Sequence, residues 1–89
     1  MLTPSYTKQF AKELKRMVKR GKPEEKIKEV LKTLVNEEQL DARYKDHKLI
    51  GRYKDRRECH IEADWLLIYK KTAGEIIFER TGTHSDLFE

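Results

Sequence analysis

The sequence predicts an α+β fold in which two amino-terminal helices pack on a small antiparallel sheet. Three observations predict it. Apolar residues recur at helical spacing through the first 36 residues, and after residue 50 the period shortens to that of strands. The polar stretch from Glu37 to Gly51 separates the two regimes.

In the first helix Tyr6, Phe10, Leu14, Met17 and Val18 form one apolar stripe. The opposite face carries Lys8, Lys12, Lys15, Arg16, Lys19 and Arg20, with Glu13 as the one acid among them. Gly21 stops this helix, and Pro23 starts the next at a position where its missing N–H costs little. Glu24 and Glu25 fall in the first turn, where the helix dipole favours acids. Ile27, Val30, Leu31, Leu34 and Val35 make the second stripe. Both stripes read as core. Ahead of the first helix, Leu2-Thr3-Pro4 reads as a short edge strand, a place that tolerates proline.

Residues 57–61, 65–70 and 75–80 are strand-length segments rich in aromatic and branched side chains. Short connections at 62–64 and 71–74 join them into a three-stranded antiparallel meander. One face of this sheet packs on the helices and the other is free to bind. The long connection 37–51 carries His47, and connections of that length in compact domains tend to be functional or mobile.

A chain of 89 residues with 37% hydrophobic side chains fits one domain, which buries roughly 60–65% of its unfolded surface. Cys59 is alone, so no internal disulfide forms and a reducing compartment fits. No apolar run approaches the roughly 20 residues of a membrane span. No signal-peptide pattern opens the chain, so a cytoplasmic protein without a membrane partner is expected. The net charge of +4 is unevenly laid out. Residues 1–22 carry seven Lys/Arg against Glu13, and residues 43–57 carry seven against Asp46 and Asp55. Segments 23–42 and 75–89 are acidic. Blocks of this kind favour a polyanionic partner, most commonly a phosphate backbone.

All three histidines lie in the second half, each within a compact polar motif. Histidine suits proton transfer at neutral pH. Set among basic residues, three of them point to acid–base chemistry on a polyanion. Strand alternation puts Cys59 and Ile61 on one face and Glu58, His60 and Glu62 on the other. His60 is therefore expected on the free face and Cys59 in the core. Adjacent Cys59 and His60 diverge, and neither Cys-x-x-Cys nor His-Glu-x-x-His spacing occurs, so neither a metal nor another cofactor is expected. Taken singly, these residues have plainer meanings: His47 a surface residue, Asp64 a turn residue, Trp65 core, Arg80 a partner of Glu79 or Asp64, Phe88 a carboxy-terminal plug. Their joint occurrence is what points to chemistry.

The strings Tyr44-Lys45-Asp46-His47-x-Leu49-x-Gly51, His60-Ile61-Glu62-x-Asp64-Trp65-Leu66-Leu67-Ile68-Tyr69-Lys70 and Phe78-Glu79-Arg80-Thr81-Gly82-Thr83-His84-x-x-Leu87-Phe88 resemble the YafQ branch of the RelE/ParE toxin superfamily. They cover residues 44–88 in that family's order and spacing, and the basic first helix and amphipathic second helix match its layout. The resemblance implies a single domain over 1–89 with the RelE-like microbial RNase fold, closed by a short carboxy-terminal helical turn. It also implies a type II toxin–antitoxin toxin. Such a toxin is an mRNA interferase, an endoribonuclease that cuts mRNA in the ribosomal A site, inhibits translation and is silenced by a cognate antitoxin protein. By position, the family's active-site residues fall on His47, His60, Asp64, Arg80, His84 and Phe88, with Trp65 beside them. This chain departs from the family at its amino end, where only Leu2-Thr3-Pro4 is available for the usual first strand. Alternation also sets Arg80 on the parity of Ile76 and Phe78, so it reaches a phosphate only where the strand twists or ends.

RNA is cut without metal when its own 2′-OH attacks the neighbouring phosphate, a route closed to DNA. The reaction needs a base, an acid and a positive group, and each proton-transfer group contributes roughly 10²–10⁴-fold. His84, after the Gly82 turn, is expected as the acid; His60 or His47, held by Asp64, as base or relay. Arg80 would meet charge on the phosphate, and Trp65 and Phe88 would stack on or confine a base. The helix face bearing Lys8, Lys12, Lys15, Arg16 and Lys19 is expected to grip rRNA. Three other readings compete. A non-catalytic RNA- or ribosome-binding module needs the charge blocks but not three histidines with Asp64. A ParE-like gyrase poison is opposed by the histidine set. A structural protein has no reason to gather His and Arg on one sheet face.

Overall fold

Thr7 decides where the first helix begins. In the computed structural model, which describes residues 1–88, its hydroxyl accepts from the Phe10 N–H and donates to the Glu79 carbonyl, both at 2.9 Å. The first bond is a helix N-cap; the second pins that cap to the sheet. Thr3–Tyr6 (β1) is therefore strand, and the helix Lys8–Lys19 (α1) starts after it. Tyr6 belongs to β1 and not to the helical stripe. Its ring sits 5.8 Å from Phe10 and 5.4 Å from Phe78, so it borders the core from the strand side.

α1 ends as its sequence predicts. Gly21 takes φ +94°, its N–H donates to the Val18 carbonyl, and the Lys22 N–H donates to Met17. That is the Schellman arrangement, and its left-handed residue favours glycine. Pro23 then occupies the N-cap of Glu24–Val35 (α2). Phe10 and Met17 from α1, with Ile27, Val30 and Leu34 from α2, are buried.

The sheet completes with His47–Lys48 (β2), Arg57–Glu62 (β3), Trp65–Lys71 (β4) and Glu75–Gly82 (β5). Its order is β1-β5-β4-β3-β2. The β3–β4–β5 meander lies at its centre, as expected, but the sheet is mixed, because β1 runs parallel to β5. The two outer strands are short: β1 spans four residues and β2 two, too few to impose a readable period.

β4 is buried on both faces from Trp65 to Tyr69, as a continuous apolar run allows. Trp65, Leu67 and Tyr69 join Cys59, Ile61, Ile76 and Phe78 under the helices. Leu66 and Ile68 point the other way, onto Leu87 of the closing helix His84–Phe88 (α3), flanked by Leu49 and Tyr53. The face expected to be free is thus partly covered by a second, smaller core. Among the described residues no helix is long and apolar enough to cross a membrane.

Two β-bulges correct the alternation. One between His60 and Glu62 turns Glu62 toward the helices, where its carboxylate accepts from Lys22 at 2.8 Å and Lys26 at 2.7 Å. The other lets Tyr69 pair with Phe78 while Ile68 pairs with Arg80. A bulge inserts one unpaired residue and reverses facing beyond it, so Arg80 leaves the parity of Phe78.

Candidate active site

Asp46 pegs the long connection to the sheet. Its Oδ1 accepts from the Tyr69 hydroxyl at 2.6 Å and from Arg57 Nε at 3.2 Å. The next residue, His47, is thereby held opposite Glu58 in the β2–β3 register. Lys45 adopts φ +50°, and its carbonyl lies 2.6 Å from His47 Nδ1. A carbonyl only accepts, so Nδ1 carries the hydrogen and Nε2 is the bare nitrogen of the neutral ring. The buried Glu58 places Oε1 3.6 Å from His47 Nε2 and 3.3 Å from His60 Nε2.

α3 is a single turn held by reciprocal capping. The Thr83 N–H donates to Asp86 Oδ2 at 3.0 Å, and the Asp86 N–H donates to Thr83 Oγ1 at 3.1 Å, a capping box. Arg20, at the end of α1, donates to the same Asp86 carboxylate at 2.8 Å. These contacts, Arg20 first, hold the Asp86 carboxyl well below the usual range. Gly82 makes room for the turn, because a Cβ there would meet Asp86 Cβ at 2.9 Å. The helical spacing then sets His84 and Phe88 on one face.

The result is a row of rings. His47 and His60 centroids are 6.4 Å apart, His60 and His84 5.8 Å, and His84 and Phe88 6.4 Å. Tyr53 closes the row with an edge contact to Phe88 at 5.6 Å. At the β3–β4 turn, Asp64 Oδ1 accepts from the His84 backbone N–H at 2.8 Å and lies 2.6 Å from its Nδ1. Those two contacts, the backbone one first, hold the Asp64 carboxyl below its ordinary value.

Three histidines from distant stretches thus gather, with Phe88 beside them. Asp64 serves His84, not His60 or His47 as expected, because its turn lies against α3 while β2 and β3 bring Glu58 to the other two. Trp65 does not fit a base-stacking role. It is fully buried, and its indole N–H donates to Thr81 Oγ1 at 2.9 Å. Arg80 is not presented as an open phosphate fork. Its Nε and Nη2 donate to Glu13 at 2.9 and 2.6 Å, and its Nη1 donates to the Tyr53 hydroxyl at 3.1 Å.

Three participants escaped sequence reasoning. Glu58 had a signal, since it stands two residues before His60 on one strand face. Glu13 had another, as the lone acid on a basic helix face. It also takes the Thr81 N–H at 3.2 Å, on the β5 edge beyond the end of β1. Tyr53 ends the short helical turn Gly51–Tyr53, just past the long connection, where no period singles it out.

A family model described as the bacterial toxin of type II toxin–antitoxin system, YafQ, matches residues 2–89. The chain belongs to the YafQ family. The mRNA interferase toxin YafQ of Escherichia coli K12 is 46% identical over 84 residues, spanning 93% of this chain and 91% of that protein. The crystal structure of YafQ from E. coli strain BL21(DE3) superposes with a TM-score of 0.95 at 42% identity, covering 100% of both chains. YafQ in the E. coli DinJ–YafQ toxin–antitoxin complex superposes with a TM-score of 0.92 at 44% identity, covering 99% of this chain and 98% of that one. The α+β architecture with its mixed five-stranded sheet is therefore the fold of the solved YafQ structures.

In this YafQ-family chain the carboxylates Glu58 and Asp64 lie beside the histidine row, and each end of the row carries an imidazole whose Nδ1 is engaged. His47 uses Nδ1 on a carbonyl and His84 on a carboxylate, so proton exchange falls to Nε2 of both, the one on His47 facing Glu58 at 3.6 Å. Such a pair is able to take a proton at one side of a phosphodiester and return one at the other.

Proposed function

We propose that this YafQ-family chain, acting as one domain over 1–89, is an endoribonuclease that cuts mRNA in the ribosomal A site through attack by the RNA's own 2′-OH. One observation carries this reading: His47, His60 and His84 stand in a single row, with neighbouring centroids 6.4 and 5.8 Å apart. The name of the E. coli relative, mRNA interferase toxin, supports the same activity.

In-line displacement puts the entering and leaving oxygens on opposite sides of phosphorus, which suits the two outer histidines. Nε2 of His47 takes the 2′-OH proton as the 2′-oxygen bonds to phosphorus. The P–O5′ bond breaks, and His84, entering the step as the imidazolium with Nδ1–H on Asp64, gives its Nε2 proton to the departing 5′-oxygen. The products are a 2′,3′-cyclic phosphate and a 5′-hydroxyl. Protons and electrons balance without an added reactant. His60, between them, meets the non-bridging oxygens, and Phe88, 44% exposed, confines the neighbouring base. Arg80, paired with Glu13, holds the Tyr53 hydroxyl at the far end of the row.

On α1, Lys8, Lys12, Lys15 and Lys19 have no carboxylate partner among the described residues, and Arg16 has only Glu13, at 3.9 Å. Unpaired cations on one helix face suit an rRNA backbone. A cognate antitoxin protein silences the chain, a reading supported by the DinJ–YafQ complex.

The test uses ribosome-bound mRNA carrying a 5′-bridging sulfur at the cut site, because a thiolate departs without an acid. The sulfur restores cleavage by His84→Gln and leaves His47→Ala inactive. The opposite pattern reverses the two roles, normal cleavage by both variants removes the histidine mechanism, and a wild-type chain that cuts no RNA removes the nuclease reading.

A further inference from the structure

A groove of about 500 Å³ begins at His60 and follows the outer edge of β3. β2 pairs only with Arg57 and Glu58, so beyond Glu58 this edge has no strand neighbour. The short helical turn Ala42–Tyr44 packs there instead. The far wall is Glu62, clamped by Lys22 and Lys26.

Arg43 and Tyr44 form a platform on the near wall. Arg43 Cζ lies 4.9 Å from the Tyr44 ring centroid, and its Nη2 donates to the Tyr44 hydroxyl at 2.9 Å. Tyr44 is half-buried against the helix-side core, so the ring is a fixed support, while Arg43 is exposed. The guanidinium is thus tethered beside the tyrosine through the hydroxyl, a planar cation at the mouth of the groove. Unstacked RNA bases stack on such guanidinium and aromatic planes. Lys45, exposed in the same groove, has no carboxylate partner among the described residues.

We propose that this groove is a subsite for one nucleotide of the single-stranded RNA next to the scissile phosphate, its base stacked on Arg43 and its phosphate met by Lys45. The proposal rests on the nuclease reading of the histidine row. Contiguity carries it first, because His60 belongs to both the row and the groove. Size agrees: small-ligand sites start at about 300 Å³, so the space takes a nucleotide and not a duplex. Charge agrees as well, since Lys26 is neutralised by Glu62 while Arg43 and Lys45 remain for an anion. An acidic segment of a protein partner would satisfy the charge but makes no use of a braced planar cation.

The test is kinetic, using the full chain and ribosome-bound mRNA with a normal or an abasic nucleotide on either side of the cut site. Arg43→Ala raises KM on normal RNA about tenfold, the scale of one lost stacking contact. Arg43→Lys does not restore it, because the charge returns without the plane. An abasic residue at one flanking position produces the same loss with the wild type and no further loss with Arg43→Ala. Rescue by lysine, or equal abasic penalties in wild type and Arg43→Ala, overturns the subsite and leaves the nuclease reading standing. So does an Arg43→Ala variant with unchanged KM and weakened antitoxin binding. A wild-type chain that cuts no RNA removes both.

Discussion

Asp64 and His84 are joined twice through one oxygen: Oδ1 accepts from the backbone N–H of His84 at 2.8 Å and lies 2.6 Å from its ring Nδ1. The paired bond fixes both the start of α3 and the rotation of the imidazole. An ionised carboxylate only accepts, so Nδ1 carries the hydrogen and Nε2 is the reacting nitrogen. The turn between β3 and β4 therefore acts on chemistry 20 residues later in the chain.

Asp64→Asn retains an oxygen for the backbone N–H but removes the charge beside the ring. Cleavage of ribosome-bound mRNA is expected to fall by roughly 10²-fold, within the range for a proton-transfer group. The loss should appear in kcat, and the thermal midpoint should stay close to wild type because both side chains are more than half exposed. A large drop in thermal midpoint would instead make Asp64 an anchor of the whole fold and not of α3 alone.

Acid should release α3 before the core. Its two anchors are Asp64 and Asp86, and both carboxyls are held below their ordinary range, by His84 and Arg20 respectively. A depressed folded pKa gives stability that is present above the unfolded value, roughly pH 4, and is lost as pH falls through the folded value. Hydrogen exchange of the α3 amides is therefore expected to accelerate below that range while Trp65 fluorescence still reports a buried indole. Simultaneous loss of both signals would show that α3 has no separate anchoring.

Glu58 sits within reach of two histidines at once, at 3.6 and 3.3 Å, and is buried. Glu58→Gln keeps the shape and deletes the charge. A decrease of about tenfold in kcat is expected, a fraction of a full acid–base contribution, with KM little changed. Single-turnover cleavage separates these; a pure KM effect would place Glu58 among groups that only repel or admit RNA.

Trp65 is expected to matter for stability and not for substrate. Trp65→Phe removes the indole donor from Thr81 Oγ1, which itself donates to the Leu66 carbonyl at 2.7 Å. Losing such a buried partner costs about 1–3 kcal/mol, measurable by urea unfolding, while KM for RNA stays unchanged. A raised KM with undiminished stability would return Trp65 to the substrate site.

Sequence alone determined the two helices, the central meander, the burial of Cys59 and the identity of the three histidines. Those features rest on local physics: stripes at helical period, a glycine stop at Gly21, alternation along β3. Family resemblance added Asp64 and Phe88, whose separate patterns are ordinary. Tertiary structure decided the pairings. Asp64 went to His84 because the β3–β4 turn abuts α3, and Glu58 went to His47 and His60 through strand register. Arg80 and Glu62 changed direction because single bulged residues invert a period of two, and no composition rule shows where a bulge falls. β1 and β2, at four and two residues, are strands only because a neighbouring edge offers them hydrogen bonds. Side-chain type is written in the chain, but which charge meets which ring depends on contacts between segments far apart in it.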